Sequence, residues 1–174
     1  MQMLVLAIHI LVYGLFSFFW DAPHWLAALV FGCLLVWISI TDMKSFEIPD
    51  IASLGVFVSG CAFVTIIPQH AWQSHVFAAL FWVIAFWGVG RLFRLRHGHT
   101  GLGFGDVKLI AGLALWVGFW GSIGMVFAAA MMGMASMLVF ALVKRLPLSE
   151  LNQSAVAFAP FLCLSAWAHW LAGI

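Results

Sequence analysis

Runs of apolar residues long enough to cross hydrocarbon, separated by short polar joints, leave this chain few folds to choose from. They cover about 2–20, 24–42, 51–67, 73–93, 106–143 and 156–172. A bilayer core takes about 20 apolar residues per helix, and within it backbone amides must be satisfied by the helix itself or by a closed barrel. Of 174 residues, 66% are hydrophobic and 7% charged, with mean hydropathy +1.14, which is outside the range of a water-soluble domain. The expectation is an all-α fold, a polytopic transmembrane helical bundle of about 6–7 spans. Residues 1–174 would form a single integral membrane domain whose surroundings are the lipid bilayer.

The run at 106–143 is too long for one crossing. It permits two helices turning near Gly118–Gly121, or one tilted helix preceded by a half-helix. Charge placement chooses between them. All seven Lys/Arg residues fall in three places: Lys44; Arg91, Arg94, Arg96 and Lys108; and Lys144 with Arg145. If 106–143 crosses twice, strict alternation puts every one on the same side, which the positive-inside rule makes cytoplasmic. That favours seven spans, with the N-terminus inside, the C-terminus outside, and Asp21, His24, His70 and His75 at the outer face. The first apolar stretch lacks a basic flank and exceeds a signal-peptide core, so it is expected to be a retained helix.

Other chemistries find little footing. Net charge is +1 with no basic tail, so nucleic acid is not expected as a partner. Cys33, Cys61 and Cys163 lie inside apolar runs without CxxC spacing and are expected to be small core residues, with no metal site or cofactor implied. His97 and His99 lack acidic or thiol neighbours at ligand spacing. The glycines from Gly98 to Gly105 miss the dinucleotide fingerprint, because Asp106 takes its third glycine position and no βαβ unit surrounds it. No GxSxG or HExxH spacing occurs.

Against this background two acids stand out, Asp42 and Asp106, each at the edge of an apolar run. An acid in a membrane helix costs roughly 2.5 to 3.5 kcal/mol at the helix centre, so such groups mark function. The topology gives both the same depth at the cytoplasmic edge. If the two helix ends pack together, the carboxyls do not both ionise readily; one keeps a proton, and a general base that activates water stands beside a general acid. Their titration would belong to the pair.

The flanks fit that chemistry. Asp106 closes Gly103-Phe104-Gly105-Asp106 and precedes Val107-Lys108-Leu109. Glycines there would admit an extended substrate strand and permit positive-φ turns leading into a helix. Asp42 opens a joint ending in Ile48-Pro49-Asp50, where Pro49 forces an extended residue before it and Asp50 is expected to cap the next helix. Glu47, Gly103, Gly105 and Lys108 are the candidates for contact with substrate. Lys108 has either a carboxylate or a lipid phosphate as its natural partner. Arg91, Arg94 and Arg96 are expected to act as topology anchors at an anionic leaflet.

Three motifs in order, Asp42 with Ile48-Pro49-Asp50, GFGDVKL from Gly103 to Leu109, and Ala157-Phe158-Ala159-Pro160-Phe161-Leu162, make the chain resemble the prepilin peptidases, the type IV leader peptidase family of GxGD membrane aspartic proteases. The resemblance spans almost the whole membrane region. Ala159 stands where that family usually has glycine, ahead of Pro160. The resemblance implies that Asp42 and Asp106 are the catalytic pair. It also implies a reaction, cleavage after a glycine that removes the basic cytoplasmic leader of type IV prepilins or type II secretion pseudopilins at the bacterial inner membrane. On that reading Glu47 would attract the basic leader, and Pro49, Asp50 and Pro160 would shape the motifs. Larger members carry a cysteine-rich domain between the first two helices and also N-methylate the product; only Asp21-Ala22-Pro23-His24 occupies that place here, so peptidase activity alone is expected. Presenilin-like enzymes usually place Tyr before the first aspartate, where this chain has Thr41. The reading from a different class is a small transporter or proton-relay subunit, which would hold its acids near mid-membrane.

Overall fold

The computed structural model describes residues 10, 11, 13, 14, 25–66, 72–97, 103–144 and 157–173. The remaining N-terminal positions, the 67–71 and 98–102 joints and Arg145 lie outside the described residues, and with them the expectations for residues 1–20, Asp21, His24, His70 and His99. Five helices follow in order: α1 (Trp25–Ser45), α2 (Asp50–Ile66), α3 (Trp72–His97), α4 (Phe104–Lys144) and α5 (Ala159–Ala172). The all-helical expectation holds for every described element. Such segments are helical because an apolar run in lipid has no other partner for its amides than its own carbonyls.

Among the described residues three helices are, by length and composition, long and apolar enough to cross a membrane: Trp25–Ser45, Trp72–Arg96 and Phe104–Val143. The expected 6–7 spans are not met on that measure. The shortfall has a physical source, since α2 has 17 residues and α5 only 14, and at 1.5 Å rise per residue neither matches a hydrocarbon core of about 30 Å.

At Gly118 the chain turns back inside α4, where φ is 73° and ψ −175°. Contacts on either side reveal the reversal. Before Gly118 the chain climbs alongside α2, with Gly105 against Ile48, Gly112 against Val56 and Trp116 against Gly60. After it, the chain descends along α5, with Gly124 against His169, Met125 bonded to Ser165 and Gly133 against Phe158 and Phe161. The break falls at the first residue of the 118–121 interval marked by the sequence. Only glycine adopts this φ freely. The neighbouring α3 secures the turn: His75 Nδ1 donates to the Leu115 carbonyl at 2.7 Å, the Phe119 amide donates to Ser74 Oγ at 3.3 Å, and Trp82 Nε1 donates to Ser122 Oγ at 2.8 Å.

Within this arrangement α4 is central, packed by α2, α3 and α5, while α1 closes the bundle against α2 and α5. An aromatic cluster joins four of the helices at the end away from the aspartates. Phe31 and Phe63 stack on Trp116 with ring centroids 4.2 and 4.7 Å apart, and Trp170 meets all three edge-on. Such pairs contribute about 0.5 to 1.5 kcal/mol each beyond area burial, and in lipid, where hydrophobicity does not separate helix from solvent, packing of this kind carries more of the association. Trp116 Nε1 also donates to the Val56 carbonyl at 3.1 Å.

The cysteines depart from expectation. Cys163 is buried, but Cys33 and Cys61 are exposed on the bundle surface, because an apolar thiol facing lipid loses nothing by leaving the core.

Gly118→Ala forces an L side chain into the left-handed region and brings its Cβ to 3.4 Å from the His75 ring. It should cost roughly 1 to 2 kcal/mol, read as a lower melting temperature in detergent. Gly88→Ala, with open space around it, should not lower the melting temperature.

Candidate active site

Four chain segments meet at one end of the bundle, and together they bring the three motifs. α1 delivers Asp42 in its last turn; the joint Phe46–Pro49 follows; α4 begins with Gly103 to Lys108; and α5 begins at Ala159-Pro160. The outcome is a cavity of about 750 Å³ whose walls carry Asp42, Asp106, Glu47, Pro49, Asp50, Gly103, Gly105 and Lys108 together. Every candidate residue singled out in the first two motifs lies there, and Pro160 packs behind it, buried in the first turn of α5.

Asp42 is buried and its Oδ2 accepts the Ala159 N–H at 3.0 Å. The geometry follows from helix chemistry. The first amides of a helix have no carbonyl partner within it, and the N-terminal end carries partial positive charge that favours an acid. Pro160, with no N–H of its own and φ preset for a helix start, leaves the amide of Ala159 as the donor presented to Asp42. The apolar Phe-Ala-Pro-Phe motif thus supplies a polar contact that no side chain in it could supply.

Asp106 is half-buried in the first turn of α4 and lies within electrostatic reach of Asp42. One of the two expectations for the glycines beside Asp106 is not met. Neither Gly103 nor Gly105 has positive φ, so neither makes a left-handed turn. They make room: a Cβ on Gly103 would stand 3.2 Å from Asp106 Oδ2, and one on Gly105 would stand 3.3 Å from Cβ of Ile48. The first clearance is for the acid, the second for the Ile48-Pro49 joint to lie against α4.

Asp50 does not cap α2. The first intrahelical bond runs from the Ser53 amide to the Pro49 carbonyl at 3.0 Å, so Pro49 holds the cap position and Asp50 is the first helical residue. Its carboxylate instead forms an ion pair with Lys108, whose ammonium also sits 5.3 Å from the Phe104 ring. Lys108 accordingly takes a carboxylate as partner. The pair links the first turns of α2 and α4 at the cavity wall; with Asp50 83% exposed it is worth about 0.2 to 1 kcal/mol. Sequence spacing gave no sign of it, since 58 residues separate the partners.

Phe46 carries the one positive φ among the described non-glycine residues, 54°, as the chain leaves α1 with its amide donating back to the Asp42 carbonyl at 2.9 Å. Its ring lines the cavity. Left-handed backbone at a bulky residue costs on the order of 1 kcal/mol and clusters at functional sites. Glu47 is exposed on the same wall. No group of three or more His, Cys, Asp or Glu side chains able to hold a metal ion occurs among the described residues.

The acid pair, its amide donor and the roomy, partly apolar cavity form an arrangement suited to acid–base hydrolysis of an extended chain. Comparison with known proteins identifies relatives of the chain. The model of the type IV leader peptidase family matches residues 28–138. Among curated relatives, the chain is 31% identical over 146 residues to the prepilin leader peptidase/N-methyltransferase of Dichelobacter nodosus, covering 84% of this chain and 48% of that one. It is 30% identical over 142 residues to the protein of the same name from Dickeya chrysanthemi (80% and 47%), and 27% identical over 154 residues to that of Aeromonas hydrophila (87% and 52%). The chain therefore spans about half the length of the curated relatives it matches. No solved structure matches it.

Removing the acceptor at position 42 strands a buried amide. Asp42→Ala should destabilise the protein by about 1 to 3 kcal/mol, whereas Asp42→Asn, which keeps an acceptor oxygen, should stay within about 1 kcal/mol of wild type; thermal unfolding in detergent distinguishes them.

Proposed function

The chain belongs to the type IV leader peptidase family, and from that premise we propose that it is a membrane aspartic endopeptidase using Asp42 and Asp106 to remove the basic leader from type IV prepilins or type II secretion pseudopilins. The observation that carries the reading is the convergence of Asp42 and Asp106, from helices far apart in sequence, on the wall of one cavity.

The chemistry then needs one ionised and one protonated carboxyl. The ionised group takes a proton from a water molecule as its oxygen attacks the scissile carbonyl, while the protonated group donates to the carbonyl oxygen and a tetrahedral diol forms. On collapse the C–N bond breaks, the first acid returns its proton to the leaving nitrogen, and the second recovers one from the diol. Both carboxyls end as they began. The Ala159 amide holds Asp42 in a fixed orientation throughout, which is how a proton-transfer geometry is kept without reorganisation.

Around the pair, Gly103 and Gly105 leave backbone accessible to an extended substrate segment, and the exposed Glu47 offers a negative charge to a basic leader. Lys108, held by Asp50, stands on the same wall. The site sits at the ends of α1 and α4 near Lys44 and Lys108, so the positive-inside rule turns it toward the cytoplasm, in the inner membrane of a bacterium.

Co-expression with a tagged prepilin tests the reading. Asp42→Asn and Asp106→Asn, at wild-type membrane abundance by blot, should each slow leader removal by roughly a hundred- to ten-thousandfold. Processing near the wild-type rate in either variant would remove the dyad and favour a proton-carrying role for the acids.

A further inference from the structure

A second cavity, of about 350 Å³, lies between the C-terminal half of α3 and the start of α4. Its chemistry differs from that of the aspartate site. Arg91 and Arg94 line it with Phe86, Trp87, Leu95 and Phe104, and no acidic side chain is among its lining residues. Both arginines are exposed, and among the described residues neither forms an ion pair. The Arg91 guanidinium lies 5.7 Å from the centroid of the Trp87 ring, which orients it beside the groove. Trp87, Leu95 and Phe104 are themselves 61%, 75% and 71% exposed, a wall of large apolar groups on the outside of the bundle. α3, which supplies most of this surface, is the least buried of the three helices long enough to span.

Two cations with no counter-charge among the described residues, set on the same groove as large exposed apolar side chains, match a ligand with an anionic head and a hydrocarbon tail. The geometry points to a specific binding site for an anionic phospholipid, its phosphate held by Arg91 and Arg94 and its acyl chains lying along Phe86 and Trp87, which precede the arginines on α3 toward the membrane interior. Guanidinium groups suit phosphate oxygens through paired N–H donors, and their position near a helix end places them at headgroup depth while the apolar wall extends into the hydrocarbon. Charge complementarity selects this occupant over a neutral lipid, and the apolar wall selects it over free phosphate. Arg96 lies on the same helix but not on the groove, so a diffuse basic anchor and a built site make different demands on it.

Native mass spectrometry of the full chain in detergent, after incubation with equal phosphatidylglycerol and phosphatidylethanolamine, separates these demands. Wild type should retain phosphatidylglycerol in preference. Arg91→Gln and Arg94→Gln should each weaken that preference about fivefold and together about thirtyfold, the weight expected for surface arginines facing an anionic lipid, while Arg96→Gln leaves it intact. Inorganic phosphate in large excess should not displace the lipid. The site is overturned if both lipids are retained equally, if the double variant retains phosphatidylglycerol as wild type does, if Arg96→Gln is as damaging as the other two, or if phosphate alone displaces the lipid. The readout is binding, so it stands or falls separately from leader cleavage.

Discussion

One hydrogen bond, from the Ala159 amide to Asp42 Oδ2, ties together parts of the chain 117 residues apart, and the geometry of the site depends on it. It fixes the orientation of a buried acid and sets the entry of α5 against the end of α1. It also uses a donor that the helix would otherwise leave unsatisfied in a poorly hydrated place, where an orphaned amide costs about 1 to 3 kcal/mol. Its holding power comes from elsewhere. At the opposite end of the bundle Phe31, Phe63, Trp116 and Trp170 lock α1, α2, α4 and α5 in register, so that the helix ends bearing Asp42, Asp106 and Ala159 have little freedom to separate. The apolar cluster and the polar site are two ends of one packing solution.

The reversal at Gly118 has the same standing in the fold. Without it the residues after Val117 would run away from the site; with it, Gly133 returns to the level of Phe158 and Phe161, so the second half of α4 forms the bed on which the start of α5 rests. A glycine in the left-handed region, braced by Ser74, His75 and Trp82 from α3, thereby acts on a site a full helix-half distant.

Much of this was legible before any coordinates. An unbroken apolar run is a strong signal in lipid, and the described helices fall where such runs lie; Asp42 and Asp106 stand out because acids are scarce in such a chain. The motif around Pro160 was visible, but its job was not, since the working atom is a backbone amide that carries no sequence signature. Long-range pairing was hidden for a related reason: Asp50 reads locally as a cap, and only the approach of α2 to α4 shows Lys108 claiming it. Gly103 and Gly105 were read for close backbone approach and for positive φ; the fold makes no use of the second, and which neighbours their missing volume admits depends on what lies opposite. The expected span count is not met among the described residues, where α2 and α5 prove short. Cys33 and Cys61 look like core residues only if inside and apolar mean the same thing, and in a membrane they do not.

The central claim is that Asp42 and Asp106 face one another in a single site. In a background with Cys33, Cys61 and Cys163 replaced by alanine, the pair Asp42→Cys and Asp106→Cys can be treated in native membranes with a short bifunctional thiol reagent, followed by proteolysis at a site engineered between α2 and α3. The account predicts that the two fragments stay joined, and that moving the first cysteine to the exposed neighbour Met43 abolishes the link. Fragments that separate, although a monofunctional reagent labels both cysteines, would contradict it.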